Sequence, residues 1–295
     1  MTARINAVDT RQFEFGMIRQ SRNAPDDAQV ALRKSLMAIR AGSTDAGHES
    51  GKDRLAMTAR PAGYLSAEAH EALRHASTAT ITTQLLKRGF RNTFLGGLTA
   101  TRPDLRMVGY AFTLRYVPMR EDLDLVDIDN TTSAQRLAVE AVGPDDVLVI
   151  DARNDVGAAT LGNILAERIL VRGAAGIVTD GALRDTSAFR EIRLPAYIRA
   201  THQTQSTARH HPADMNVPIG CAGVLVLPGD VVVGDADGVV IIPQAVAEEV
   251  ALASHEQDLR EAFVLEKIRA GASILGVYPM DAKTLAEYEA LGDRC

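Results

Sequence analysis

The sequence predicts an α/β fold: a central β-sheet with flanking helices, carried behind a polar N-terminal extension. Three observations predict it. Short apolar runs bounded by turn residues, such as Val147 to Asp151 (VLVID), have the length and composition of strands buried on both faces. They alternate with segments of helical spacing that stop at a glycine. Toward the C-terminus, Val217 to Pro243 (VPIGCAGVLVLPGDVVVGDADGVVIIP) turns into short β-rich pieces separated by Pro-Gly-Asp and Asp-Gly, which favour reversals between antiparallel strands.

Taken in order, residues 1–54 form the extension. They are polar, with a SRNAPDD break and a GSTDAGHESGKD stretch. Between these, Gln29 to Arg40 (QVALRKSLMAIR) sets Val30, Leu32, Leu36, Met37 and Ile39 at partly helical spacing. One short amphipathic helix and a flexible linker over 41–54 are expected, with an oligomer-contact arm as the functional alternative. Residues 55–295 read as one compact α/β domain. Thr78 to Arg88 is a helix stopped by Gly89, and Met107 to Val117 (MVGYAFTLRYV) is β-rich. Thr132 to Val142 is helical and ends at Gly143-Pro144, and Val147 to Asp151 is the next strand. Gly162 to Val171 is a helix closed by Gly173, followed by a strand at Gly176 to Thr179 (GIVT), a tight Asp180-Gly181 corner, and a strand at Pro195 to Ile198. Gln244 to Ala270 is one long helix ending at Gly271, and a last short helix covers about 281–291.

Composition narrows the function. The chain has 295 residues, 46% hydrophobic and 24% charged, enough for one domain of about 200–240 residues plus an appendage. A net charge of −6, no tryptophan and 4% aromatics argue against a duplex nucleic-acid binder or a base-stacking platform. The two cysteines, Cys221 and Cys295, form no CxxC, which suits a reducing cytoplasm rather than a zinc or disulfide framework. The N-terminus has no apolar core of signal-peptide length, and no window approaches 18 uninterrupted apolar residues. Only five lysines occur among 32 Lys and Arg, and none lies between 88 and 266. A Schiff-base mechanism, which needs a lysine in the pocket, is therefore disfavoured, and a carbon–carbon lyase would have to be metal-dependent.

The stretch GNILAERILVRGAAGIVTDGALRD, Gly162 to Asp185, carries the chemistry. A helix opening at Gly162 leaves the N–H groups of Asn163, Ile164 and Leu165 free to bind a carboxylate or phosphate. Arg184-Asp185 follows the next strand. An aspartate there supplies a hard oxygen ligand for magnesium or manganese, and the arginine can steady an oxyanion. Both elements lie at the same end of neighbouring strands, where open α/β sheets place ligands. His202, His210 and His211 lack metal-ligand spacing and read as solvated loop residues, and Asp235-Ala236-Asp237-Gly238 reads as a hairpin turn.

At these residues the chain resembles the RraA-like family, which includes the class II 4-hydroxy-4-methyl-2-oxoglutarate (and 4-carboxy-4-hydroxy-2-oxoadipate) aldolases and the regulator of ribonuclease E activity. The resemblance runs from about Arg60 to about Gly271 through GYAFTLRYVP, VLVIDA, the Gly162–Asp185 stretch and NVPIGCAGVLVLPGDVVVGDADGVVIIP. It implies a compact layered α/β domain assembling as a homotrimer or hexamer, with sites between subunits. It also implies a pyruvyl carboxylate on the backbone at Asn163, Ile164 and Leu165, Arg184 on the keto or enolate oxygen, and Asp185 on Mg2+, with Mn2+ as the alternative ion. Non-catalytic inhibitors of the family typically lack that aspartate. One departure is Asn163, a position often acidic in family aldolases; asparagine cannot accept a proton. Asp151 and Asp180 are the alternative bases within the chain, and Glu249 or Glu256 on the long helix is the alternative that would reach a neighbouring subunit.

The expected function is a divalent-metal-dependent lyase that cleaves a 4-hydroxy-2-oxo acid to pyruvate, with oxaloacetate decarboxylation as a side activity through the same enolate. A dehydratase or hydratase of a sugar-derived 2-oxo acid and a protein-binding ribonuclease regulator are the alternatives. The distal end of the pocket is expected to involve the loop 119–130. No nucleic-acid or membrane partner is expected.

Overall fold

The computed structural model describes residues 65–122, 124 and 130–292. The predicted extension over 1–54, its helix at 29–40 and part of the 119–130 loop lie outside the described residues. In chain order the elements are α1 (Ala67–His75), α2 (Thr78–Lys87), β1 (Thr99–Ala100), β2 (Met107–Pro118), α3 (Ala134–Ala141), β3 (Asp146–Asp151), β4 (Ala159–Leu161), α4 (Asn163–Val171), β5 (Gly176–Leu183), β6 (Ala196–Thr201), β7 (His210–Met215), β8 (Ile219–Cys221), β9 (Val224–Val226), β10 (Val231–Gly234), β11 (Val239–Ile242), α5 (Ala247–Arg269) and α6 (Ala282–Gly292).

One sheet organises them, in the order β1-β6-β5-β3-β2-β10-β11, with β4 added beside β5 and β7 beside β2. Its centre, β6-β5-β3-β2, is parallel. Residues 147–150 of β3 are completely buried, as a continuous apolar run between two covered faces requires. On one face α3 and α4 pack Ala138, Val139, Ala166 and Ile169 against Leu148, Ile150 and Ile177. On the other, the β8–β9 hairpin covers Val147, Val149 and Val178. The antiparallel flank of β10 and β11 is closed by α1, α2 and the long α5, whose Val250 and Ala251 meet Leu73, Ile81 and Val240. Local chemistry sets the helix ends. Ser66 and Ser77 cap α1 and α2 by accepting from the amides of Ala69 and Thr80, each at 3.0 Å. Past α4, Gly173 adopts φ +86°, the left-handed residue that ends a helix. The Asp235–Gly238 segment is the β10–β11 hairpin turn, with the Asp235 amide donating to Gly238 O at 3.0 Å.

Two expectations are corrected. The strand starting at Gly176 does not turn at Asp180-Gly181 but continues to Leu183, with only a register shift against β6 between Thr179 and Ala182. Asp180 is fully buried and accepts from the amides of Ala152 (2.7 Å), Asn154 (3.1 Å) and Ala222 (3.2 Å). Its carboxylate ties the loop after β3 and the β8–β9 turn to β5, so a residue type common in turns sits inside a strand. The polar segment at 202–211 is not all loop: β7 begins at His210 and pairs antiparallel with the second half of β2 through a bulge at Arg115/Tyr116. α1, β1 and β4 also escape the periodicity. Two of these are strands of two and three residues, too short to show alternation.

Candidate functional site

The site lies where β4 and β5 end side by side. The two strands are parallel with Leu161 opposite Leu183, and the Arg184 amide donates to Leu161 O at 3.1 Å. The chain therefore leaves β4 as Gly162 next to the point where it leaves β5 as Arg184. Gly162 caps α4 with extended backbone and no side-chain bond. The first intrahelical bond runs from the Ala166 amide to Gly162 O at 3.1 Å, so the amides of Asn163, Ile164 and Leu165 precede it and find no partner within the helix. The first turn of α4 carries no acidic side chain. Its donors and dipole are left available to an anion.

Arg184 and Asp185 pack against that helix start. Arg184 Nε lies 3.2 Å from Asp185 Oδ2, and each side chain is about one-third exposed. A Cβ on Gly162 would sit 2.7 Å from Asp185 Oδ2 and 2.8 Å from Arg184 Nε, so only glycine fits this approach. Asp185 has φ +56°, a left-handed conformation uncommon outside glycine, asparagine and aspartate. It is followed by a turn in which the Ala188 amide donates to Asp185 O at 2.9 Å. A backbone held there directs the carboxylate to a shallow depression shared with Thr186, Ser187 and Gln203. One carboxylate among hydroxyl and amide oxygens is a hard donor set that fits Mg2+ or Mn2+. Magnesium takes one or two carboxylates and keeps water, so it does not need the cluster of three ligating side chains that is absent among the described residues.

Arg184 also faces a second, more enclosed cleft of about 540 Å3, lined by Gly162, Ile164 and Leu165 together with Gln135 and Arg136 of α3, Ser206, Thr207, His210 and Asp124. Its floor is a buried polar cluster. Gln135 Nε2 donates to Tyr116 Oη (2.9 Å) and Thr160 O (2.6 Å), and Tyr116 Oη donates to Thr160 O (3.0 Å). Burial pushes the Tyr116 hydroxyl well above the usual tyrosine range, so it stays protonated. His210 is buried, not solvated as its polar surroundings suggested. Burial lowers its pKa, and the neutral ring donates from Nε2 to Ala158 O (3.1 Å) while Nδ1 accepts from Arg153 Nη2 (3.1 Å). Both ring nitrogens are committed, so His210 is a wall rather than a base. His202 and His211 remain partly exposed, and His211 is hydrogen-bonded to Asp124.

Neither Asp151 nor Asp180, the two acids expected as bases within the chain, lines the cleft. Asp151 accepts from the Arg153 amide at 2.8 Å, and burial raises its pKa. Asp180 is the buried loop tie. Glu249 pairs with Arg88 at 2.7 Å, and Glu256 pairs with Arg260. Gln135 and Arg136 were not singled out in sequence, whereas Asp124 belongs to the loop 119–130 expected at the distal end of the pocket. The first two sit on a helix whose existence is legible but whose facing is not.

A family model described as RraA-like (Aldolase/RraA) matches residues 78–241. A relative from Halalkalibacterium halodurans, provisionally named a 4-hydroxy-4-methyl-2-oxoglutarate aldolase, is 40% identical over 113 residues, 38% of this chain and 53% of its own length. The chain thus spans about half of that relative. A Thermus thermophilus protein named 4-hydroxy-4-methyl-2-oxoglutarate aldolase is 34% identical over 109 residues, 37% of this chain and 66% of its own. Among solved structures, Streptomyces coelicolor RraAS2, described as an unusual member of the RNase ES inhibitor RraA protein family, superposes with a TM-score of 0.61 at 34% identity. That superposition covers 69% of this chain and 96% of the other.

Proposed function

The chain belongs to the RraA-like family, and from that premise we propose that it is a divalent-metal-dependent lyase cleaving a 4-hydroxy-2-oxo acid to release pyruvate. The observation that carries the reading is the Arg184–Asp185 pair packed on Gly162 at the open start of α4. The reaction breaks the C3–C4 bond: the 4-hydroxyl gives up its proton and becomes a carbonyl, while the electron pair moves into the C2–C3 enolate, which takes up a proton at C3 to leave as pyruvate. The amides of Asn163, Ile164 and Leu165 hold the C1 carboxylate and so orient C3–C4 within the cleft. Arg184 donates to the C2 oxygen as negative charge develops there. Asp185 would hold the Mg2+ or Mn2+ ion, which supplies Lewis acidity at the same oxygen when bound. Asn163 accepts no proton, so the proton of the 4-hydroxyl goes to another group or to water. Oxaloacetate decarboxylation passes through the same enolate and is the expected side activity.

Pyruvate release from 4-hydroxy-4-methyl-2-oxoglutarate, measured before and after exhaustive EDTA treatment, tests the reading. Activity should vanish and return with Mg2+ or Mn2+. Asp185→Asn should not respond to metal, and Arg184→Ala should lose about 10²–10³-fold in turnover. A rate that survives metal removal sinks the mechanism. Product analysis with 3-deoxy-2-oxo sugar acids separates cleavage from dehydration or hydration. The S. coelicolor likeness supports a second reading, a protein-binding ribonuclease regulator. That reading predicts tight association with the ribonuclease, unchanged in Asp185→Asn. Assembly as a homotrimer or hexamer is part of the proposal and is read by light scattering.

A further inference from the structure

The cleft is larger than the pyruvyl unit that α4 and Arg184 would hold, and the rest of it is not neutral. Arg136 lines it from the first turn of α3. A cation is disfavoured there, because the helix dipole already places positive potential at that end, and the turn carries no acid to offset it. The acid one turn further along, Glu140, is taken by Arg168 at 2.6 Å. Among the described residues, the carboxylate that lines the cleft with Arg136 is Asp124, which is bound to His211 and to the Arg120 amide. Among the described residues the Arg136 side chain bonds only the neutral Asn130 Oδ1, through Nε at 3.2 Å, which leaves its two terminal nitrogens uncommitted. The turn that carries it is anchored, since the neighbouring Gln135 is buried and hydrogen-bonded to Tyr116 and Thr160. An arginine held in place at an electrostatic cost, with its fork open to a ligand cavity, is built to receive a carboxylate.

We infer that Arg136 determines specificity in this cleft by binding a second carboxylate on the distal part of the substrate, so that dicarboxylic 2-oxo acids are selected over monocarboxylic ones. This rests on the proposed placement of the 2-oxo acid end at α4 and Arg184, but not on cleavage. The test is therefore a binding measurement. With Mg2+ present, calorimetry compares 2-oxoglutarate with 2-oxopentanoate, the same chain with a methyl in place of the distal carboxylate, for the wild type, Arg136→Met and Arg136→Lys. The wild type should bind 2-oxoglutarate about tenfold or more tightly than 2-oxopentanoate, the worth of one charge-assisted pair. Arg136→Met should bring that ratio close to one by weakening 2-oxoglutarate alone, and Arg136→Lys should retain part of it. A wild type that binds the two alike, or binds neither, overturns the inference. So does an Arg136→Met protein that keeps the ratio or loses both ligands equally. If the ratio behaves as expected but no 4-hydroxy-2-oxo acid yields pyruvate, the lyase reading fails and the diacid site stands.

Discussion

Gly162 shows how a single missing carbon can set a site. The sequence alone permits reading it as a residue that eases a tight strand-to-helix turn, but its backbone is ordinary and extended, φ −124° and ψ −175°. What requires glycine is proximity: a Cβ would meet Asp185 Oδ2, Arg184 Nε and Arg184 Cγ, all within 2.9 Å. Gly162→Ala must therefore displace the arginine–aspartate pair. Both side chains are about one-third exposed and can swing outward, so the displacement costs little stability. Misplacing reacting groups by about an ångström can cost about 10²-fold in rate. The expected outcome is pyruvate release lowered by about that factor while the thermal midpoint moves by only a degree or two. A large loss of stability, or unimpaired turnover, would show that the pair does not work in this position. The residue types of the site were legible because Arg-Asp after a strand and glycine before a helix are local signals. His210 was not, because its burial depends on β2 and on Ala158, 52 residues away.

Elements were legible where one period ran long enough and lost where polar residues did structural work. α2, α4 and β3 announce themselves through spacing and glycine stops, whereas β7 (HHPADM) hides behind its histidines, proline and acid. Asp230 belongs to the second group. The Pro228-Gly229-Asp230 reversal is visible as a turn, yet its carboxyl is buried at the start of β10 and accepts from the Leu227 amide at 2.8 Å. Burial outweighs these backbone bonds and raises its pKa from 3.8 to about 7. Because the folded value lies above the unfolded one, the folded state binds more protons between them. The stability tied to this group is fully present below about pH 4 and is lost as pH rises to about 7, in all on the order of a few kcal/mol. Asp230→Asn keeps an acceptor for the Leu227 amide without a titrating group. Its thermal midpoint should decline less than the wild type's between pH 4 and 7 and exceed it at pH 8. Parallel midpoint curves would mean that Asp230 is ionised in the fold across this range.

At the scale of the whole molecule, the layered α/β class and the C-terminal hairpins were legible, while the joining of β10 to β2, which makes one sheet of two halves, was not. That pairing links residues more than 120 positions apart, and no local pattern encodes it. Among the described residues no helix is long and apolar enough to cross a membrane. The same architecture puts the core and the proposed metal carboxylate in different places: three apolar clusters close the sheet without Asp185, which sits on the rim. An ion held there is therefore a ligand of a finished fold, unlike a structural zinc whose binding energy is folding energy. EDTA-treated protein should keep its secondary structure and unfold cooperatively. Adding Mg2+ to about ten times its dissociation constant should then stabilise it by about 1.4 kcal/mol, by mass action alone. For a domain of this size each kcal/mol raises the midpoint by about 2–4 °C, so the shift should be about 3–6 °C. Asp185→Asn is the matched control, because asparagine tolerates the left-handed φ of +56° and spares the fold while removing the charged ligand. In that variant the Mg2+-dependent shift should disappear with no loss of midpoint in EDTA. If the shift persists, the ion is bound elsewhere, and Asp185 acts through Arg184 rather than through a metal.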